Sequence, residues 1–387
     1  MANEVYIYDE AINSIGVCDS FRSMIWIKRY SSAGAFELHV PATEYNTKML
    51  VPNRYIYRAD VDEAMYIASI KETCSSEDGK TITVSGYSLD GMFRKRCLPS
   101  TINSNSFKKT LIDVLKTCLS FGCEIVFSDP NNLDTILKID ADKNYYVDMN
   151  AEDYIRWALD KSNFVKETDL DYNFNNPTIY GLNVHMNTYK HCLECSIYNG
   201  NDLTDSIVFS EDYDNMFNSE YSFSEIGGGN VIYGICNDFD SDVETPNGVP
   251  SCIINKDIIG LKATEKVVAI DPVIKVGVRL KMVSVDAPLI VEEYNYLDYD
   301  ETMTNLMKTC NSKANSFDEN FTGDIVNVDD YRVKFDVGDI VKIQNGIRGI
   351  SYSKRIEEIE ESFDESGTKV TPTFGKPLKT IYDYIKI

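Results

Sequence analysis

Along most of this chain, apolar and polar residues alternate with a period of two. Between Ser20 and Ala42, Met24, Trp26 and Lys28 alternate with Ile25, Ile27 and Arg29, and Phe36, Leu38 and Val40 alternate with Glu37 and His39. That spacing predicts two strands joined at Ser31-Ser32-Ala33-Gly34, with Gly34 the turn residue best able to take a positive φ. Pro41 has no N–H for a ladder and is expected to end the second strand. Glu4–Tyr8, Arg54–Arg58, Ala64–Glu72 and Thr81–Gly86 read as further short strands, with a tight turn at Asp78-Gly79. So many short strands joined by small turns predict a compact barrel or sandwich that closes near Arg96.

The period changes after Pro99. Phe107, Leu111, Val114, Leu115, Cys118 and Phe121 recur at steps of three and four behind a capping Ser106, which predicts a helix ended by Gly122. Cys123–Phe127 reads as a strand. Asn150 is placed to cap a second helix, with Glu152 and Asp153 in its first turn and Tyr154, Ile155, Ala158 and Leu159 on its apolar face. Strands return at 178–185, 192–198 and 230–235. A third helix is expected over 302–317, with Met303, Leu306, Met307, Cys310, Ala314 and Phe317 in one stripe. From Asp324 onward the pattern is strand again, so the fold class is α+β, mainly β.

One pattern occurs twice. Residues 54–86 run strand, turn, strand, acidic turn, strand, glycine, and residues 339–375 do the same. SIKETCSSEDGKTITVSG and RIEEIEESFDESGTKVTPTFG both carry an amphipathic strand that ends in acids. The repeat suggests two related β modules in one chain, with insertions between and within them.

Composition narrows the function classes. With 387 residues the chain is long enough for several domains. No apolar run approaches the roughly 18 residues of a spanning helix, and the first residues lack the basic and apolar regions of a secretory signal. Acids outnumber bases 61 to 38, a net charge of −23, which argues against holding nucleic acid through its phosphates. The only compact basic cluster is Arg94-Lys95-Arg96, expected to face a protein partner or the outside. The ten cysteines follow no framework spacing and read as reduced core thiols.

Candidate chemistry is sparse. His191-Cys192-Leu193-Glu194-Cys195 contains a CxxC, but no second pair accompanies it, and in a strand its two thiols point to opposite sides. Asp238, Asp240, Asp242 and Glu244 alternate as in a calcium loop, yet Val243 and Val249 stand where glycine and glutamate are needed. Gly227-Gly228-Gly229 leads into a strand, not a helix, so it reads as a flexible junction and not a phosphate loop. The three histidines fall in no HExxH motif and beside no GxSxG serine. No catalytic, cofactor-binding or metal-binding residue is assigned, and no enzymatic activity is expected.

The segment SFRSMIWIKRYSSAGAFELHVPA resembles the opening of the tail-tip (baseplate) hub proteins of siphophages. The resemblance recurs at Ile207–Ser210, Asp214–Met216 and Tyr221–Phe223, and at Val337–Val341, Arg355–Glu360 and Gly367–Gly375. Its structural words include Trp26, Arg29, Gly34, Phe36, Pro41, Phe209, Asn215, Gly338, Asp339 and Gly375. The resemblance implies two tandem tube-like β-barrel modules with inserted mixed α/β domains: residues 1–97 the first hub barrel, 98–222 a mixed insertion, 223–240 and 318–387 the second barrel, and 241–317 a second insertion. It further implies a homotrimer similar to the central hub of contractile phage baseplates. There, six barrels adapt a sixfold tail tube to a threefold tip. The implied partners are a distal tail or tail tube protein and a tape-measure or tip protein, with DNA passing without specific binding and no membrane contact. The implied location is the virion tail tip, assembled in the host cytoplasm. The competing class is a receptor- or carbohydrate-binding β protein of the tail tip, for which the tyrosine-rich composition is the argument.

Overall fold

A computed structural model of the protein describes residues 4–75, 79–96, 123–128, 150–160, 179–224, 231–235, 251–255, 267–270, 272–275, 279–282, 318–346, 349–365 and 367–375. The helices expected over 106–121 and 302–317, the acidic stretch 238–250 and the triple glycine lie outside the described residues.

The first module contains β1 (Val5–Tyr8), β2 (Ser14–Cys18), β3 (Ser23–Arg29), β4 (Ala35–Pro41), β5 (Tyr55–Arg58), β6 (Glu63–Ser75) and β7 (Gly79–Ser88). A short helix, α1 (Glu44–Met49), links β4 to β5, and its Thr43 cap accepts a hydrogen bond from the Asn46 N–H at 3.1 Å. The alternation read from the sequence is the alternation of burial. Met24, Trp26, Phe36, Leu38 and Val40 are buried, while Ile25, Ile27, Glu37 and His39 are partly exposed. Side chains from all seven strands meet in one core, including Val5, Cys18, Trp26, Leu38, Ile56, Ile67 and Val84. A sheet whose two ends share one core is curled around it.

A mixed unit follows, made of β8 (Glu124–Ser128), α2 (Ala151–Leu159), β9 (Gly181–Asn187) and β10 (Cys192–Tyr198). The Asn150 side chain accepts the Asp153 N–H at 2.9 Å, the cap expected from the sequence. β10 lies between parallel β8 and antiparallel β9. Tyr154, Ile155 and Leu159 of α2 pack with Leu193, Cys195 and Ile197 of β10 against Tyr55 and Tyr66 of the first module. Cys195 enters this core, and Cys192 is also buried.

The second module begins with β11 (Val208–Phe209) and β12 (Met216–Ser224). Between β12 and its next strand come β13 (Val231–Ile235), β14 (Ser251–Asn255), β15 (Val267–Ile270), β16 (Pro272–Lys275) and β17 (Arg279–Met282), which pair only among themselves. The module resumes with β18 (Asp318–Ile325), β19 (Ile340–Asn345), β20 (Ile350–Asp364) and β21 (Gly367–Gly375). Phe209, Met216, Phe321, Val341, Ile356, Ile359, Val370 and Phe374 give every one of these six strands a place in one core.

The two modules share a pairing order. In the first, the sheet runs β3-β4-β7-β6-β5-β1, and in the second it runs β12-β18-β21-β20-β19-β11. The chain visits both sets in the same sequence. Matching extends to single residues. The long middle strand bulges after Ile67 in β6 and after Ile356 in β20. Ile67 exchanges backbone hydrogen bonds with Asn53 and Arg54, as Ile356 does with Gly338 and Asp339. Asn53 and Gly338 both have positive φ, 67° and 95°. Row by row, Ile67-Gly86-Phe36-Trp26 corresponds to Ile356-Phe374-Phe321-Tyr221. One pairing differs: β1 meets β5 antiparallel, whereas β11 meets β19 parallel.

All of these strands belong to one thirteen-stranded sheet, because β3 of the first module pairs antiparallel with β20 of the second. Among the described residues its path is open, from β12 to β2, so neither module closes as the barrel expected from the sequence. The physical reason is local. Among the described residues β2 pairs only with β1 and β12 only with β18, so no ladder there joins the ends of either curl.

Candidate functional site

The β3–β20 seam gathers several ion pairs between the two modules. Its register sets Arg29 opposite Glu358, Lys28 opposite Ile359, Trp26 opposite Glu361 and Met24 opposite Phe363. The alternation of β3 therefore sends Trp26 and Lys28 to the same side as Glu361 of β20, where Glu63 at the start of β6 also reaches them. The Trp26 indole N–H donates to Glu63 at 3.0 Å, and Lys28 bridges Glu63 at 2.9 Å and Asp336 at 3.2 Å. Arg332 reaches from the loop before β19 to Glu63 at 3.0 Å and Glu361 at 2.6 Å. Arg58, with its side chain 2% exposed, spans Glu361 at 3.1 Å and Asp60 at 2.8 Å and lies over the rings of Trp26 and Phe363.

Burial alone would raise the Glu63 carboxyl, but the Lys28 and Arg332 charges outweigh it and hold its pKa down to about 2. Burial disfavours the Lys28 ammonium, and Glu63 and Asp336 more than restore it, so its pKa is raised. Glu63 and Lys28 thus stay charged across the physiological range, and their ion pairs help set the registry of the two modules.

A second anchor is Tyr30, fully buried just past β3. Its hydroxyl donates to the Ile179 carbonyl at 2.7 Å, its ring meets Tyr198 edge-on at 5.3 Å, and the Arg355 guanidinium lies over its face at 4.5 Å. Gly338 packs on the same ring, where an added Cβ would fall 2.5 Å from a ring carbon. One side chain therefore touches both modules and the mixed unit. A cleft of about 100 Å³ opens nearby, with Trp26, Glu63, Asp90, Leu182, His185 and Val337 among its lining.

The residues singled out in the sequence fall into two groups. Trp26, Arg29 and Phe36 belong to the seam, where Arg29 pairs with Glu358 at 2.5 Å and Trp26 packs on Phe36. Phe209, Asn215, Asp339 and Gly375 build the second module. Phe209 packs on Phe335 and Phe374, at ring distances of 5.2 and 5.1 Å. Asn215 clamps the turn after β11, accepting from the Ser210 N–H and donating to the Val208 carbonyl. Asp339 accepts from the N–H groups of Asn201 and Asp336. Gly375 has φ 81° at the end of β21. Pro41 stands apart as the last residue of β4, opposite Thr81.

One expectation needs correction: Gly34 is not in the left-handed region. Glycine is required there because a Cβ would collide with the Ile27 carbonyl oxygen across the turn. Arg94 pairs with Glu152 at the start of α2 at 2.7 Å and lies over the Tyr87 ring, while its side chain stays 47% exposed. Sequence reasoning missed Arg58, Glu63, Arg332 and Glu361. The signal that could have found them was the acid-rich repeat strand around Glu361, whose burial requires cations from elsewhere.

Among the described residues no group of His, Cys, Asp and Glu is placed to hold a metal ion. No helix among them is long and apolar enough to cross a membrane. The model of the siphovirus ReqiPepy6 Gp37-like protein family matches residues 4–243 and 285–376. No curated protein is detectably similar in sequence. Among solved structures, the fold is similar to the 43 kDa tail protein of prophage MuSo2 from Shewanella oneidensis, with TM-score 0.58, 12% identity and 97% of this chain and 98% of that chain covered. It is also similar to a tail protein from Neisseria meningitidis, with TM-score 0.53, 9% identity and 96% of each chain covered. The prophage tail protein gp18 from Listeria monocytogenes gives TM-score 0.51 and 13% identity, with 98% of this chain and 96% of that chain covered.

Proposed function

The chain belongs to the siphovirus ReqiPepy6 Gp37-like family, and from that premise we propose that it is a structural hub of a phage tail tip, a virion component with no catalytic role. Three copies form a ring of six quasi-equivalent modules that adapts a sixfold tail tube to a threefold tip. The observation that carries this reading is the duplicated strand order of the two modules and their direct pairing through β3 and β20. A protein that presents one module twice offers six similar surfaces when three copies assemble.

In this reading each module is a curled sheet that behaves as an open tube-like barrel, and the mixed unit and the strands between β12 and β18 are insertions carried outside the ring. A distal tail or tail tube protein docks on one side of the ring and a tape-measure or tip protein on the other. DNA passes without specific binding, which the net charge of −23 favours by like-charge repulsion. The test is the mass and shape of the purified chain, by sedimentation and negative-stain microscopy. A species of three copies with six lobes around an axis is expected. A chain that stays monomeric up to its solubility limit, or closes as a dimer, overturns the ring.

A further inference from the structure

The seam inside the chain has an unfilled twin. In β20, residues 350–355 pair with β19, and beyond the bulge Glu358–Phe363 pair with β3 on the same side. In β6, Glu63–Tyr66 pair with β5 on that side, but beyond the bulge no strand among the described residues covers it. Residues 68–75 are all exposed. The bulge fixes the correspondence: Ile67 matches Ile356, Ser69 matches Glu358, Ile70 matches Ile359, Glu72 matches Glu361 and Cys74 matches Phe363. Ile359 is fully buried, whereas Ile70 is 43% exposed. The strand equivalent to β3 in the second module is β12, which ends the sheet and pairs only with β18 among the described residues.

Resting on the ring reading above, we infer that β12 of one copy pairs antiparallel with the outer edge of β6 of the next copy, repeating between chains the β3–β20 seam within a chain. The register follows from the equivalences. Trp26 opposite Glu361 places Tyr221 opposite Glu72, and the neighbouring rows become Ser222 opposite Lys71 and Glu220 opposite Thr73. The occupant is a second copy because the chain carries both halves of the contact, at opposite ends of one sheet and in the order that its own internal seam prescribes. Charge agrees. Lys71 and Glu220, both exposed, come to lie diagonally on one face, within reach of a long lysine side chain. Because the two edges differ, the contact is heterologous, the kind of interface a closed ring of three copies requires.

The direction of the backbone groups supplies the test. The Tyr30 N–H donates to the Glu357 carbonyl across the internal seam, so Glu357, Ile359 and Glu361 are the hydrogen-bonding residues of β20 toward β3. By equivalence Ile70 and Glu72 bond across the proposed contact, and Lys71–Ser222 is a non-hydrogen-bonded pair with Cα atoms about 4.5 Å apart, a spacing a disulfide tolerates. The full-length variant Lys71→Cys/Ser222→Cys should form, under mild oxidation, covalent dimers and closed trimers on a non-reducing denaturing gel. Neither single variant, and no pair shifted by one row such as Lys71→Cys/Tyr221→Cys, should do so above the background of native thiols. Trimers that sediment normally but give no cross-link from the matched pair overturn this pairing and leave the ring intact. A chain that neither trimerises nor cross-links overturns both.

Discussion

The meanders β5-β6-β7 and β19-β20-β21 are the same device in two situations. Each has a bulged middle strand, a positive-φ residue feeding its first strand, and an antiparallel strand pair added beside its third. They differ in what lies against the far half of the middle strand. Where β3 covers β20, that half carries Ile359, Glu361 and Phe363 into the interior; where nothing described covers β6, its Ile70, Glu72 and Cys74 face solvent. The difference teaches that burial at these positions is set by a neighbouring strand and not by the meander itself. A buried Glu361 is tolerable only because Arg58 at the end of β5 and Arg332 of the loop before β19 both pair with it.

The sharpest way to break this comparison is to substitute the matched acids. Glu361→Ala strands the buried Arg58 charge and is expected to cost about 3–5 kcal/mol in urea unfolding. Glu72→Ala in the dissociated chain should change stability by less than about 0.5 kcal/mol. The matched isoleucines come next. Ile359→Ala should cost about 2–4 kcal/mol through a cavity in the second core, and Ile70→Ala less than about 1 kcal/mol until copies associate. Gly34→Ala should cost about 1–3 kcal/mol, because the added Cβ meets backbone that cannot swing aside. If it is neutral, the turn has room that the geometry denies.

The remaining effect is on pH. The Glu63 pKa is held at about 2 in the fold by Lys28 and Arg332, below the ordinary carboxylate range. Its contribution to stability is therefore fully present above about pH 4.5 and is lost as pH falls toward 2. Glu63→Gln should flatten that part of the stability–pH curve measured by urea midpoints. An unchanged acid limb would remove Glu63 from the seam's electrostatics.

Most strands of the first module were legible because one face of each is buried and the period of two survives in the sequence, as in β3 and β4. The repeat was legible for the same reason. What was not legible depended on contacts distant in the chain. The seam needs Trp26 and Glu361 opposite each other across more than three hundred residues, and no local pattern records that. α1 was missed because it is short and its cap, Thr43, follows a proline that reads as a strand end. Gly34 was rightly singled out as a turn residue but for the wrong cause, since close approach of a carbonyl leaves no trace in a sequence that positive φ would not also leave. No local pattern ties β11 and β12 to the later strands: β11 and most of β12 lie before residue 223, and they pair with β19 and β18.

The central claim is that the free edge of β6 is the covered edge of β20 awaiting its partner. Residue-resolved hydrogen exchange on the chain, dissociated and assembled, tests it most directly. Dissociated, the amides of Ile70 and Glu72 should exchange at rates near those of unpaired backbone, while those of Ile359 and Glu361 stay protected. On assembly Ile70 and Glu72 should gain protection comparable to their counterparts in β20. Amides at Ile70 and Glu72 that remain unprotected in the assembled ring would contradict the account.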